Sequence, residues 1–202
     1  MIVRGLSPLP VKGEEAVVQA ILAVIAVGWI VFWVGWLIAA AGAKSSQGGR
    51  GGLARLAGVR VALVVIAVYL VRLNMHGGHR AAASLLLDCI GLAVWLAGLG
   101  LAVWARIYIG ANWGMPMTKR EDPDLVTTGP YRLIRHPIYS GIILGLVGTA
   151  LATSLYGLIV AAVLAAYFIY SATSEERFLT TQFPDTFPAY KARTKMLIPF
   201  VV

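Results

Sequence analysis

The sequence predicts an all-α, polytopic integral membrane protein of about five transmembrane helices, and three observations predict it. Apolar residues make up 59% of the 202-residue chain and charged ones only 13%, against roughly a quarter charged in soluble domains. The apolar residues gather into runs long enough to cross a hydrocarbon core of about 30 Å at about 1.5 Å per residue. Lysine and arginine gather in alternate loops between those runs, the pattern of a multi-pass chain with its positive loops inside.

The first run, 16–43, has Gln19 as its one clearly polar member. Its Ala39 to Ala43 end resembles a signal-peptidase site, but the run far exceeds the roughly 7 to 15 residues of a signal h-region, so it reads as a retained helix. Further spans follow at 54–73, 84–108, 138–153 and 155–172. The fourth falls short of the roughly 20 residues of a full crossing, and the fifth starts at once after Thr153 and Ser154, so the pair reads as a tight C-terminal helical hairpin. Gly28, Gly35 and Gly42 on the first helix, and Gly91 and Gly98 on the third, recur on one face and read as helix-packing positions. The chain is then a single membrane domain, 1–202, with cofactor-site segments at 109–137 and 173–202.

Loop charges orient it. Lys44, Arg50 and Arg55 follow the first span; Arg106, Lys119, Arg120, Arg132 and Arg135 follow the third; Arg177, Lys191, Arg193 and Lys195 lie in the tail. The positive-inside rule puts these in the cytoplasm and the N-terminus outside. The net charge of +8 is thereby explained by topology and anionic headgroups, with no nucleic-acid partner needed. Arg72 and Asp88, near the outer interface, read as an ion pair or as snorkelling side chains. A single cysteine, Cys89, forbids a disulfide within the chain. His76 and His79 stand in a Gly-rich loop and read as solvated, so no metal site is expected.

The chemistry concentrates at Leu125 to Gly141, a polar loop that runs directly into an apolar helix. Pro137 suits a first helical turn, where a missing N–H costs nothing, and this leaves His136 near the cap with free N–H groups facing the loop. Such an end favours an anion, and Arg135 and His136 add donors. Glu175 and Glu176 return to the same level because the hairpin is antiparallel. A cationic pole is expected to face a carboxylate pole across a few helix widths, an arrangement suited to a zwitterionic ligand with Tyr131, Tyr139 and Trp113 as flat walls. The plainer readings are headgroup contacts for Arg135 and His136 and a solvated face for the glutamates.

The block Leu125-Val-Thr-Thr-Gly-Pro-Tyr131, then Arg135-His-Pro-Ile-Tyr139 with Gly141, then Glu175-Glu176 followed by Phe183, Tyr190 and Ile198-Pro-Phe200, resembles the isoprenylcysteine carboxyl methyltransferase family. Its superfamily also contains phospholipid methyltransferases and, more distantly, NADPH-dependent membrane sterol reductases. The resemblance covers roughly the second half of the chain. It implies a cytoplasm-facing S-adenosyl-L-methionine site formed by Pro123, Asp124, Leu125 and Val126, by Tyr131 in the Gly129 block, by His136, Pro137, Ile138 and Tyr139 beside Arg135, and by Glu175. It also implies methyl transfer to a lipophilic acceptor among membrane lipids, with a carboxylate as the accepting group.

One position departs. The arginine that the family carries one helical turn before the first glutamate, where it holds the substrate carboxylate, is Ser171 here. Arg193 is the nearest replacement by sequence, with Arg106 another. Gly141 and Gly145, with Gly148, either pack a neighbouring helix or leave a groove for an acyl or prenyl chain. Two other functions stay open: an NADPH-dependent reductase using the same loop with Lys119, Arg120, Arg132 and Arg135, and a non-catalytic lipid-binding scaffold.

Overall fold

The computed structural model describes residues 12–41, 85–110, 125–154 and 156–197. It contains α1 (Lys12–Ala41), α2 (Leu85–Ile109), a 3-10 turn at Gly129–Arg132, α3 (Pro137–Thr153), α4 (Gly157–Gln182) and α5 (Phe187–Arg193). Among the described residues there is no strand; one isolated parallel bridge pairs Ile134 with Lys195. α1, α2 and α4 are each long and apolar enough to cross a membrane, and α3 is a shorter apolar helix. The span expected at 54–73 lies outside the described residues, as do Gly42, Lys44, Arg50, Arg55, Arg72, His76, His79, Trp113, Lys119, Arg120, Pro123, Asp124 and residues 198–202.

α3 starts at Pro137 and ends where Ser154 turns to extended backbone. α4 follows almost at once, and Gly157 lets it leave close to α3: a Cβ there would stand 3.0 Å from that of Ala150. The hairpin expected from the sequence is thus formed. α4 runs well past the expected end of its span at residue 172, and the added turns carry Glu175, Glu176 and Arg177.

The bundle is held by small residues. α2 and α3 run antiparallel with their backbones nearly touching: a Cβ on Gly98 would lie 2.4 Å from the Gly145 nitrogen, and one on Gly148 would lie 2.3 Å from that of Trp95. Gly91 meets Ala152 and Gly141 meets Ala102 in the same way. In a bilayer, where lipid competes equally for apolar surface, such close approach supplies the dispersion contacts that hold helices together. Gly141 and Gly145 therefore lie within the α2–α3 seam. The space weighed for a groove in the sequence is filled by α2 backbone at Gly141 and by the Leu99 and Trp29 side chains at Gly145, so both positions pack neighbouring helices.

α1 lies parallel to α2. Gly28 admits the Trp95 ring, and Arg106 lies 6.0 Å from the Trp36 ring centroid further along. The Trp29 indole donates to Thr149 Oγ1 at 2.9 Å, tying α1 to α3. Of the glycine repeat on α1, only Gly28 makes a described contact; Gly35 has no described atom within 4 Å. The described packing there is one aromatic knob in one hole, the Trp95 ring against Gly28. Because α1 and α2 are parallel, Ala41 and Leu85 lie at opposite ends of the bundle. The outward surface is apolar, with Ile30, Ile38, Leu86, Ile107 and Ile159 among its most exposed side chains, as a lipid-facing surface requires.

Candidate active site

One end of the bundle gathers the polar groups. Of the described lysines and arginines, all but Lys12 fall there: Arg106, Arg132, Arg135, Arg177, Lys191, Arg193 and Lys195. The loop into α3 is anchored at its start by a 3-10 turn. Tyr131 buries its ring in the core cluster, and its hydroxyl reaches the Ala105 carbonyl at 3.4 Å. Burial pushes that phenol above its ordinary range. The Tyr190 hydroxyl of α5 donates to the Tyr131 carbonyl at 2.7 Å and is pushed up to about 12 by burial, so it remains a neutral donor at any working pH.

Gly129 opens this turn with φ +60, a left-handed conformation in which a side chain costs roughly 1–2 kcal/mol. A Cβ there would also stand 2.5 Å from the Tyr108 ring, which is held in place by its hydroxyl bond to Thr128 Oγ1 at 2.8 Å. Gly110 has a similar φ of +53, but a Cβ there would meet no described atom within 4 Å. Gly129→Ala is therefore expected to loosen the loop more than Gly110→Ala does. Limited proteolysis between residues 125 and 136 reads the difference, and equal cleavage of both variants would remove the Tyr108 contact as a cause.

At the loop's end His136 caps α3 with no side-chain hydrogen bond to the helix. By helix geometry the N–H groups of Ile138 and Tyr139 have no partner within α3. The imidazole stacks on the Tyr139 ring, centroids 5.4 Å apart and planes within 4°, and Tyr139 in turn packs on Phe168 at 5.0 Å. Glu175 joins this face: its Oε2 accepts from the Tyr139 hydroxyl at 3.2 Å and lies 3.7 Å from His136 Nδ1.

Glu176, the next residue, faces elsewhere. Its Oε1 accepts from Arg135 Nε at 2.6 Å and lies 3.5 Å from His136 Nε2, while Lys191 Nζ stands 2.8 Å from Oε2. The two glutamates differ in access, with side chains 29% and 2% exposed for Glu175 and Glu176 respectively. Only Glu175 has free surface for a ligand.

This arrangement corrects the sequence reading in two respects. The cationic and carboxylate poles do not face each other across a gap; they touch, because α3 and α4 pack directly and bring residue 136 level with residue 175. Arg135 is also committed internally, with Nε on Glu176 and Nη1 on the carbonyls of Thr194 and Lys191. His136 and the first turn of α3 lie on the face that Glu175 shares.

The remaining expected residues are scattered. Leu125 and Val126 are half-buried beside the loop, and Val126 packs on the core cluster. Pro137 and Ile138 are buried in the first turn of α3. Ser171 is half-buried on α4. Arg193 is exposed, its guanidinium 5.8 Å from the Tyr190 ring centroid. Sequence reasoning did not connect Lys191 with Glu176, Thr194 with Arg135, or Ser140 with the tail. No spacing joins these pairs; their contacts arise only when the tail folds back.

Residues 87–186 match the family of phospholipid methyltransferases, a stretch that runs from α2 through the loop and α3 to the end of α4. Both Glu175 and His136 fall inside the match, whereas α5 and the tail fall beyond it. The chain is also similar to a cobalt-zinc-cadmium resistance protein of Cupriavidus metallidurans, 32% identical over 148 residues that cover 69% of this chain and 63% of the relative. A nickel-cobalt-cadmium resistance protein of Alcaligenes xylosoxydans xylosoxydans is 30% identical over 146 residues, 69% of this chain and 64% of the relative. The chain thus spans under two thirds of the length of these relatives. No group of three or more His, Cys, Asp or Glu side chains that could hold a metal ion occurs among the described residues.

Proposed function

We propose that the protein is an S-adenosyl-L-methionine-dependent methyltransferase whose cofactor lies at the His136, Tyr139 and Glu175 face, and whose acceptor is a lipophilic molecule in the bilayer. The observation that carries the proposal is the meeting of Glu175 and His136 at an uncapped helix N-terminus, inside the segment that matches the family.

The donor set fits the group chemically. Free N–H groups and an imidazole suit an amino-acid carboxylate, and a part-exposed glutamate suits an ammonium or ribose hydroxyl. The stacked His136 and Tyr139 rings give a flat wall at the same place. The cofactor brings a methyl group activated on a sulfonium. What the chain contributes is alignment and exclusion of water, which can account for much of the rate in a reaction of two bound partners. An ionised carboxylate acceptor is already nucleophilic and asks for no general base. We favour such an acceptor on the resemblance alone. Arg193, stacked on Tyr190, and Arg106, beside Trp36, are the cations proposed to hold it where Ser171 does not.

The cytoplasmic placement of this end is likewise proposed, from the clustering of its lysines and arginines. The names of the two relatives attach them to metal resistance. A methyltransferase would join such a process by altering a membrane component, and metal sensitivity of a deletion strain would show it.

The test is a methylation assay with labelled S-adenosyl-L-methionine and a lipid extract, beside thermal shifts with S-adenosylhomocysteine and with NADPH. We expect label in an extractable lipophilic product and stabilisation by S-adenosylhomocysteine alone. Stabilisation by NADPH alone would favour the reductase, and a water-soluble product would overturn the lipophilic acceptor.

A further inference from the structure

Glu176 is the most enclosed charged side chain at this end, and the ligand-facing surface makes no use of it. Three basic side chains, those of Arg135, His136 and Lys191, surround its carboxylate. Arg135 does not stop at Glu176; its guanidinium also donates to the Thr194 carbonyl and, at 3.3 Å, to that of Lys191. The tail that follows lies along the loop into α3. Its Lys195 and Met196 carbonyls accept the main-chain N–H groups of Arg135 and His136 at 2.8 and 3.1 Å. In return the Lys195 N–H donates to the Leu133 carbonyl at 3.3 Å, and Ser140 Oγ donates to the Leu197 carbonyl at 2.6 Å. The tail therefore fixes the main chain at His136 and on both sides of it. Lys191, Thr194 and residues 195–197 all lie beyond the segment that matches the family.

We propose that Glu176 is a positioning residue: through Arg135 it holds residues 194–197 against residues 133–140, and the tail in turn fixes His136 at the start of α3. Exposed ion pairs contribute little, but Glu176 and Arg135 are both enclosed, and removing one partner leaves the other buried and unpaired. Glu175 and Glu176, adjacent in sequence, then divide their work, one facing the ligand and one holding the structure that presents His136. The part concerning ligand affinity rests on the methyltransferase reading; the part concerning the tail does not.

The test is hydrogen exchange on the full chain in detergent, followed at peptides covering 133–136 and 195–197, together with S-adenosylhomocysteine affinity. Glu176→Ala is expected to raise exchange in both peptides by about tenfold or more, as local opening does, with the α2–α3 seam unchanged, and to weaken affinity as a consequence. Glu175→Gln is expected to weaken affinity with exchange unaltered. Ser140→Ala, which removes the hydroxyl's bonds to the Leu197 and His136 carbonyls, should raise exchange in the same peptides by a smaller factor and carries the test if Glu176→Ala does not fold. Weakened affinity in Glu176→Ala with exchange at wild-type levels would make Glu176 a ligand contact and overturn the proposal. Unaltered exchange in Ser140→Ala would overturn the tail's part in it. If the wild type itself does not bind S-adenosylhomocysteine, the cofactor reading fails alone, and exchange still decides whether Glu176 holds the tail.

Discussion

Gly98→Leu is expected to separate α2 from α3. The new side chain would meet Gly145 and Gly141 main chain at 2.4 and 2.6 Å, and backbone cannot rotate out of the way as a side chain can. Overpacking of this kind costs about 1–3 kcal/mol and occasionally more, and here both helices would have to move apart along a seam that carries much of the bundle. Gly100→Leu, two residues on, is the control: Gly100 is exposed and no described atom lies within 4 Å of its Cβ position. Thermal unfolding in detergent should show a large drop for Gly98→Leu and little change for Gly100→Leu. Equal melting of the two would mean that the seam is not what holds α2 to α3.

That contrast also shows what the sequence could and could not convey. Gly91, Gly98, Gly141, Gly145 and Gly148 were legible as packing positions because small residues in register have one main use between apolar helices. Gly28 and Gly35 carried the same signal, and only Gly28 found a described partner, since periodicity tells which residues share a face but not what stands opposite. The α3–α4 hairpin was readable from span length and from the break at Thr153 and Ser154.

At the site, His136 and Glu175 were legible as a pair because an antiparallel hairpin returns them to one level. The different fates of Glu175 and Glu176 were not. Adjacent helical positions point about 100° apart, and which of them faces the tail depends on how Lys191 to Leu197 folds back. The internal partners of Arg135 were hidden for the same reason: a guanidinium at an anion-binding end shows nothing in sequence of the main-chain carbonyls, from another part of the chain, that its Nη1 meets.

The second large effect concerns the ligand. His136→Ala and Glu175→Gln each remove one side of the proposed cofactor site, one at the N-terminus of α3 and one on α4, while leaving the glycine seam and the Arg135–Glu176 pair in place. Loss of a charged hydrogen-bond partner costs roughly 1.5–3 kcal/mol, or about tenfold or more in affinity. Because the two side chains are near each other, their effects are expected to fall short of additive in the double variant.

The most direct measurement is a calorimetric titration of S-adenosylhomocysteine into the purified wild type and these two variants at one pH and in one detergent. Saturable binding by the wild type, weakened about tenfold or more in each variant with unchanged melting temperatures, is the predicted result. No binding by the wild type, or wild-type affinity in both variants, would contradict the placement of a methyl-donor site at His136 and Glu175.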